Sequence, residues 1–336
     1  MRRLLSALTL TALILCGISC SKELRYHELT GYAQGGTYSV KFATYDKSLK
    51  PGTVQEAVDS ILTLIDTTLS GYNKGSQLSR YNAGAEVTPN PMFKEIYSIS
   101  RKLFKETDGA LDVAAGPLFD AWGFGFTTDS LPSAAMVDSL LASCGMDCLD
   151  EDMKPVREGI VPKLNFNAIA QGYSSDKIAE YLHSLGVTDM LVDIGEIYCE
   201  GLSPKGRPWR IGIDRPLDGN NTPGADLDGI WQGDGTGCGV VTSGNYRKYY
   251  EKDGQKYSHT IDPRTGYPVR HSLLSATIVA PDATLADAYA TYCMVIGLDG
   301  AKAFITARSD LEGYLIYDEG GEMKEWASSG FNLAVE

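Results

Sequence analysis

Histidine is scarce, with four residues, His27, His183, His259 and His271, in a chain of 336. They are widely separated, which argues against a multi-histidine metal centre, and only His259 lies in a polar constellation. Cysteine is also thin. Of seven, Cys16 and Cys20 fall at the N-terminus, and the odd remainder of Cys144, Cys148, Cys199, Cys238 and Cys293 makes no disulfide framework. Cys144 and Cys148 are spaced so that they could pair in an oxidising compartment, but no neighbouring histidine suggests zinc, and they read as small buried residues. There is no P-loop, no G-x-S-x-G and no H-E-x-x-H, and the glycines between Gly233 and Gly239 are weak grounds for a nucleotide site. Positive charge is in deficit, 30 Lys and Arg against 43 Asp and Glu, for a net charge of −13. That balance excludes non-specific binding to nucleic acid or anionic headgroups and leaves room for a local phosphate pocket.

What is present is an ordinary globular composition, 43% hydrophobic and 22% charged, enough for one large domain or two intimate ones. No long linker, low-complexity tract or repeat divides it. The first twenty residues read as an address: Arg2 and Arg3 precede an apolar run from Leu4 to Ile18, too short to span a bilayer and ending in small residues before Cys20. Gly17-Ile18-Ser19-Cys20 resembles a bacterial lipobox with Gly17 where leucine is usual. Residues 1–20 are therefore expected to be a signal peptide and Cys20 a lipid-bearing N-terminus, with a plain secretory signal as the alternative. A lipid-anchored, periplasm-facing protein of the cell envelope follows.

Periodicity places the elements. Tyr32 to Ala43 reads as a strand interrupted at Gly35-Gly36-Thr37, and Thr53 to Leu69 carries Val54, Ala57, Val58, Ile61, Leu62 and Ile65 at helical spacing. Pro91 to Glu106, Met136 to Cys144 and Gly172 to Leu185 read as helices, with strands at Met190 to Ile194 and Leu273 to Ala280 and a last helix from near Thr284. Helices and strands alternate irregularly, so the fold class is α+β.

Five segments bear on chemistry. Tyr257 to Pro268 is a turn rich in His, Asp, Pro and Gly, and on the helix that follows Asp287 and Thr291 stand four apart. A carboxylate and a hydroxyl then share one face and could hold one hard cation. The loop from Leu69 to Asn82 sets Tyr72 among small polar residues, where a planar ring could stack. Thr107 to Asp112 leads into Gly116 to Gly125, where Trp122 is read as packing. Asn165 to Asp176 enters a helix whose free N–H groups suit phosphate or whose preceding carbonyls suit a cation, with capping by Asn167 or Ser174 as the plainer reading. Val241 to Tyr246 closes a strand with small hydrogen-bonding residues.

The order of these segments resembles the ApbE family, the bacterial FAD:protein FMN transferases, from about Tyr32 to beyond Thr291. Gly36-Thr37, Tyr72 with Ser76, Gly109 to Asp112, Ala168 to Asp176, Ser243 to Tyr246, Ser258 to Gly266, and Ala286-Asp287 with Thr291 match in order. The resemblance implies one T-fold-like α+β domain over residues 21–336 with a flavin cleft between two lobes. It implies FAD as substrate, Mg²⁺ as cofactor, and transfer of FMN to a threonine of an exported or membrane redox protein, releasing AMP. By the same resemblance Asp287, Thr291 and the carbonyl of Ala168 are magnesium ligands. Gly35, Tyr72, Ala110, Leu111, Asp112, Asn165, Gln171 and Ile261 line the FAD site, and His259 lies near the pyrophosphate as catalytic base, with Asp262 as the next candidate. Gly35 stands where the family usually has methionine, Asn165 where it has aspartate and Gln171 where it has a charged residue. Water in place of threonine would make the same site a Mg²⁺-dependent FAD pyrophosphatase, and a non-enzymatic flavin-binding lipoprotein is the third reading.

Overall fold

Eight strands form one antiparallel sheet, seen in a computed structural model describing residues 23–125, 131–217, 219–220, 222, 224–245, 249–252 and 255–334. Residues 1–20, expected to be a signal peptide ending at Cys20, and Tyr246 lie outside the described residues. In chain order the elements begin with β1 (Arg25–Ala33) and β2 (Gly36–Thr44), then α1 (Pro51–Leu69), α2 (Gln77–Asn82), α3 (Pro91–Glu106), α4 (Gly116–Ala121) and α5 (Ala134–Ser143). Next come α6 (Ala170–Ser184), β3 (Asp189–Asp193), β4 (Ile197–Glu200), β5 (Arg210–Asp214), β6 (Leu227–Gln232) and β7 (Cys238–Gly244). The chain continues through β8 (Tyr249–Lys252), β9 (Gln255–Ser258), β10 (Ile261–Asp262), β11 (Tyr267–Pro268) and β12 (Leu273–Ala280). It closes with α7 (Ala283–Thr306), β13 (Glu312–Glu319) and β14 (Glu322–Ala327). The main sheet runs β1-β2-β3-β4-β7-β12-β13-β14, while β5-β6, β8-β9 and β10-β11 pair as separate hairpins.

Two local expectations are corrected. The interrupted strand at Tyr32 to Ala43 is a hairpin: Gln34 and Gly35 both take positive φ, and Ala33 pairs with Gly36, so the chain folds back. The loop at Leu69 to Asn82 contains α2, because Ser76 caps it by accepting from the Ser79 N–H at 2.9 Å. The helix at Pro91 to Glu106 and the strand at Leu273 to Ala280 have the expected bounds.

The pleat sends alternate residues to two cores. Val241, Ile278 and Leu315 face the helices, packed with α3, α6 and α7, whereas Val240, Val279 and Ile316 face Trp209, Ile211 and Trp231 around the β5-β6 hairpin. A smaller cluster joins α4 and α5 through Leu118, Trp122, Val137 and Cys144 to Ile261 of β10. Trp122 packs there as expected, and its Nε1–H donates to the Gly266 carbonyl at 2.7 Å.

Helices α6 and α7 lie antiparallel and cap one another. Asp176 on α6 accepts from the backbone N–H of Ala283 and of Thr284, both at 2.8 Å, and from the Thr284 hydroxyl. In return Asp287 on α7 accepts from the Gly172 N–H at 3.1 Å. The approach requires glycine, since a Cβ at position 172 would stand 2.1 Å from the Ala283 carbonyl oxygen. Farther along, Gly297 breaks α7 with φ 76° and ψ −177°, and the His271 Nε2–H donates to the Met294 carbonyl at 2.7 Å.

Gly172→Ala is expected to push α6 from α7 and to cost about 1–3 kcal/mol, the usual range for overpacking. In urea unfolding the midpoint should fall at unchanged m value, and an unshifted midpoint would show that the two helices separate freely.

Candidate active site

The cleft is a cavity of about 300 Å³ whose walls come from widely separated parts of the chain. The end of β7 brings Thr242, Ser243 and Gly244, and α7 brings Asp287, Thr291, Met294 and Val295. Opposite stand Ala110, Leu111, Asp112 and Val113 after α3, and Asn165, Asn167, Ala168 and Ile169 before α6. Phe119 of α4 with Phe124 just after it, His259, Thr260, Ile261 and Pro263 at the β10 turn, Glu196, and Ser100 and Leu103 of α3 also line it. The two loops are fastened together by the Asn165 N–H donating to the Val113 carbonyl at 2.7 Å. Thr260 Oγ1–H donates to Asn245 Oδ1 at 2.8 Å, tying the turn to the end of β7.

Asp287 is 4% exposed, and among the described residues its hydrogen-bond partner is one amide, that of Gly172. Burial pushes its carboxyl up to about 7, the Gly172 N–H pulls the other way, and the neighbouring Asp176 charge adds to the rise. A buried carboxylate without an ion pair is costly, and a cation would remove that cost. One turn on, Thr291 faces the same cavity, its Oγ1 at 3.4 Å from Ser243 Oγ. Ala168 lines the cavity too, and only its carbonyl can coordinate. Carboxylate, hydroxyl and carbonyl oxygens form a hard donor set, so the residues present fit Mg²⁺.

Asp112 is held by the N–H groups of Ala114 at 2.8 Å and Met146 at 3.0 Å, while burial raises it to about 6. It fixes its loop. Asn165 Oδ1 accepts from the Asn167 N–H at 2.9 Å, a local turn in place of the cap expected from Asn167 or Ser174, because the N-cap position of α6 is Ile169, which offers no side-chain cap. His259 is half-buried, its ring edge-on to Phe124 with centroids 6.4 Å apart. Asp262 is occupied by Arg264, accepting from Nε at 2.9 Å and Nη2 at 2.8 Å, so it fastens the turn.

The structure thus brings Ala110, Leu111, Asp112, Asn165, Ala168, His259, Ile261, Asp287 and Thr291 to one cavity. Gly35, Tyr72 and Gln171 are not in its wall. Gly35 sits on the β1-β2 turn, beside Gln34, whose Nε2 donates to Ser174 Oγ of α6 at 2.5 Å. The Gln171 Nε2 donates to the Ile194 carbonyl at 3.1 Å, and Tyr72 is 69% exposed on the loop before α2. Glu196 escaped the sequence reading, although a carboxylate on a glycine turn just after an apolar strand was its signal. Its carbonyl accepts from Ser175 Oγ at 2.6 Å, pinning the turn to α6.

Comparison with known proteins follows the same outline. The family profile described as "ApbE family" matches residues 34–315. The FAD:protein FMN transferase of Escherichia coli K12 is 35% identical over 83% of this chain and 80% of its own length. That of Haemophilus influenzae is 32% identical over 100% and 99%. Among solved structures, the flavin transferase ApbE from Vibrio cholerae superposes with a TM-score of 0.77 at 30% identity, covering 92% of this chain and 99% of that one. The apo flavinyl transferase ApbE of Pseudomonas stutzeri gives 0.78 at 32% identity, covering 91% and 95%.

The carboxyls carry a pH signature. With Asp287 at about 7 in the folded chain and near the ordinary value of about 3.9 when unfolded, the folded state holds a proton the unfolded state has lost. Stability should therefore fall as pH rises from about 4 to about 7. Asp112 and Asp176, both raised to about 6, act in the same direction. In chelator the urea midpoint should decline over this window, Asp287→Asn should flatten the decline, and Mg²⁺ should restore the wild-type midpoint at the alkaline end but not the variant's. A flat wild-type profile would mean that Asp287 ionises without penalty.

Proposed function

The chain belongs to the ApbE family, and from that premise we propose that its cleft transfers FMN from FAD to a threonine hydroxyl of a target protein, releasing AMP. The observation that supports this most directly is the buried Asp287 with Thr291 and Ala168 in the same cavity as His259. The threonine oxygen attacks the FMN-side phosphorus of the FAD pyrophosphate, the bond to the AMP phosphate breaks, and the hydroxyl proton must be taken up. His259 accepts it, since a neutral imidazole is a competent base near neutral pH and Asp262 is bound to Arg264. Asp287, Thr291 and the Ala168 carbonyl would hold Mg²⁺, which when bound neutralises and orients pyrophosphate oxygens. Leu111, Ile261, Phe119 and Phe124 give the cavity an apolar wall for a planar ring and keep water from it. Asp112 and Asn165 set the two loops that face α7. The same residues would serve attack by water, and flavin fixed to an acceptor separates the two outcomes.

The acceptor belongs to an exported or membrane redox complex if the leader directs export, and Cys20 is the proposed lipid anchor, supported by Arg2, Arg3 and the apolar run that follow the order of a lipoprotein signal. Cys20→Ala should shift the protein from the membrane to the soluble fraction. Unaltered sedimentation with membranes, with the N-terminus elsewhere, would reject the anchor.

Incubation with FAD, Mg²⁺ and a threonine-bearing acceptor, following AMP and acceptor-bound flavin fluorescence, tests the reaction. Asp287→Ala or chelation should abolish both signals, and Thr291→Val should weaken them. His259→Asn should lower single-turnover AMP release by about 10²–10⁴-fold with FAD still bound, the usual contribution of a general base. If His259→Asn keeps the wild-type rate and pH profile, the histidine is a turn residue; AMP without acceptor-bound flavin would point to hydrolysis.

A further inference from the structure

Two of the five cysteines in the described residues face each other across the main sheet. The β4-β7 ladder pairs Ile197 with Val240, Tyr198 with Gly239, and Cys199 with Cys238. Residues opposite one another in an antiparallel pair have Cα atoms about 4.5 or 5.5 Å apart, and both separations lie within the disulfide span of about 4.4–6.8 Å. Opposed side chains also leave the sheet on the same side. Both thiols are free and lie on the face covered by β5 and β6, near Trp209 and Val240. The neighbouring Cys238 thiol together with burial holds the Cys199 thiol above its usual range. The remaining cysteines have no such arrangement: Cys148 Sγ–H donates to the Cys144 carbonyl at 3.4 Å, and Cys293 is enclosed in the helix-side core.

We propose that Cys199 and Cys238 are a site of reversible disulfide formation, a cross-strand bond that fastens the start of β7 to the end of β4. Cys238, half-buried at the strand's beginning, is the thiol that meets an oxidant, and Cys199, 2% exposed, resolves. With a small disulfide such as oxidised glutathione, the Cys238 thiolate attacks one sulfur, forming a mixed disulfide and releasing one glutathione thiol. Cys199, losing its proton, then attacks Cys238 Sγ and releases the second. Two cysteine thiols are oxidised, one glutathione disulfide is reduced to two thiols, and the two protons leave on those thiols. The bond closes the excursion that carries β5 and β6, so it restricts the unfolded chain while leaving the strand register in place. The other end of β7 supplies Thr242, Ser243 and Gly244 to the cleft, which the bond would hold against thermal opening.

The test uses the full chain, first reduced, then equilibrated with oxidised glutathione, denatured, alkylated and weighed. The expected wild-type product carries two fewer alkyl groups than the reduced control, with peptide mapping joining the segments that contain 199 and 238. Cys199→Ser should instead retain one glutathione on Cys238, and Cys144→Ser should behave like the wild type. The oxidised wild type should melt several degrees above the reduced protein, with no such gap in Cys238→Ser. Full alkylation of the oxidised wild type, a link between other cysteines, or a lower melting temperature on oxidation would each overturn the proposal.

Discussion

The mutual capping of α6 and α7 is the constraint on which the site rests. A helix N-terminus leaves N–H groups unsatisfied, and here each helix supplies the other's missing acceptor: Asp176 takes the amides at the start of α7, Asp287 the Gly172 amide at the start of α6. Neither helix can rotate or slide without leaving a buried carboxylate and a buried amide unpaired, which is far more costly than the bonds are stabilising. The side chain needed at the cleft is thus aimed by a bond that the fold itself requires.

The same arrangement concentrates negative charge in a dry place. Burial raises both Asp176 and Asp287, and the Asp176 charge raises Asp287 further, so each carboxyl favours its proton. The proposed cation binding and folding stability pull in opposite directions at Asp287. Low polarity around that carboxylate strengthens its attraction for a metal for the same reason that it penalises the bare charge.

Much of this was legible in the sequence where local chemistry decides. Pro91 at a first helical turn marked α3, and the i, i+4 spacing put Asp287 and Thr291 on one face before any packing was known. Long-range pairing left no such mark. The neighbour relation of β4, β7 and β12 joins strands separated by hairpins, so the Cys199–Cys238 juxtaposition was invisible while the i, i+4 pair at Cys144 and Cys148 drew attention. Gly35 read as an interruption because glycine signals a break without saying whether the chain continues or reverses; Gln34 beside it, in the left-handed region, makes the reversal. Glu196 was missed because turns are set by what they pack on, here Ser175 of α6.

The two chemical partners in the cleft are held by different cores. Asp287 belongs to the helix-side core through α7, whereas His259 leads into β10, whose Ile261 is embedded in the cluster with Leu118 and Trp122. The Trp122 N–H on the Gly266 carbonyl and the Asp262–Arg264 pair then shape the turn from opposite sides. Thr260, bonded to Asn245 beyond β7, is a polar tie from that turn back to the sheet. A small satellite core opens at lower cost than the principal one, since it buries less apolar surface. The wall bearing His259 thus rests on the smaller core, while the α6-α7 clamp holds Asp287 in place. A reaction that must admit a large substrate and still neutralise its pyrophosphate at a defined point needs that division of stiffness.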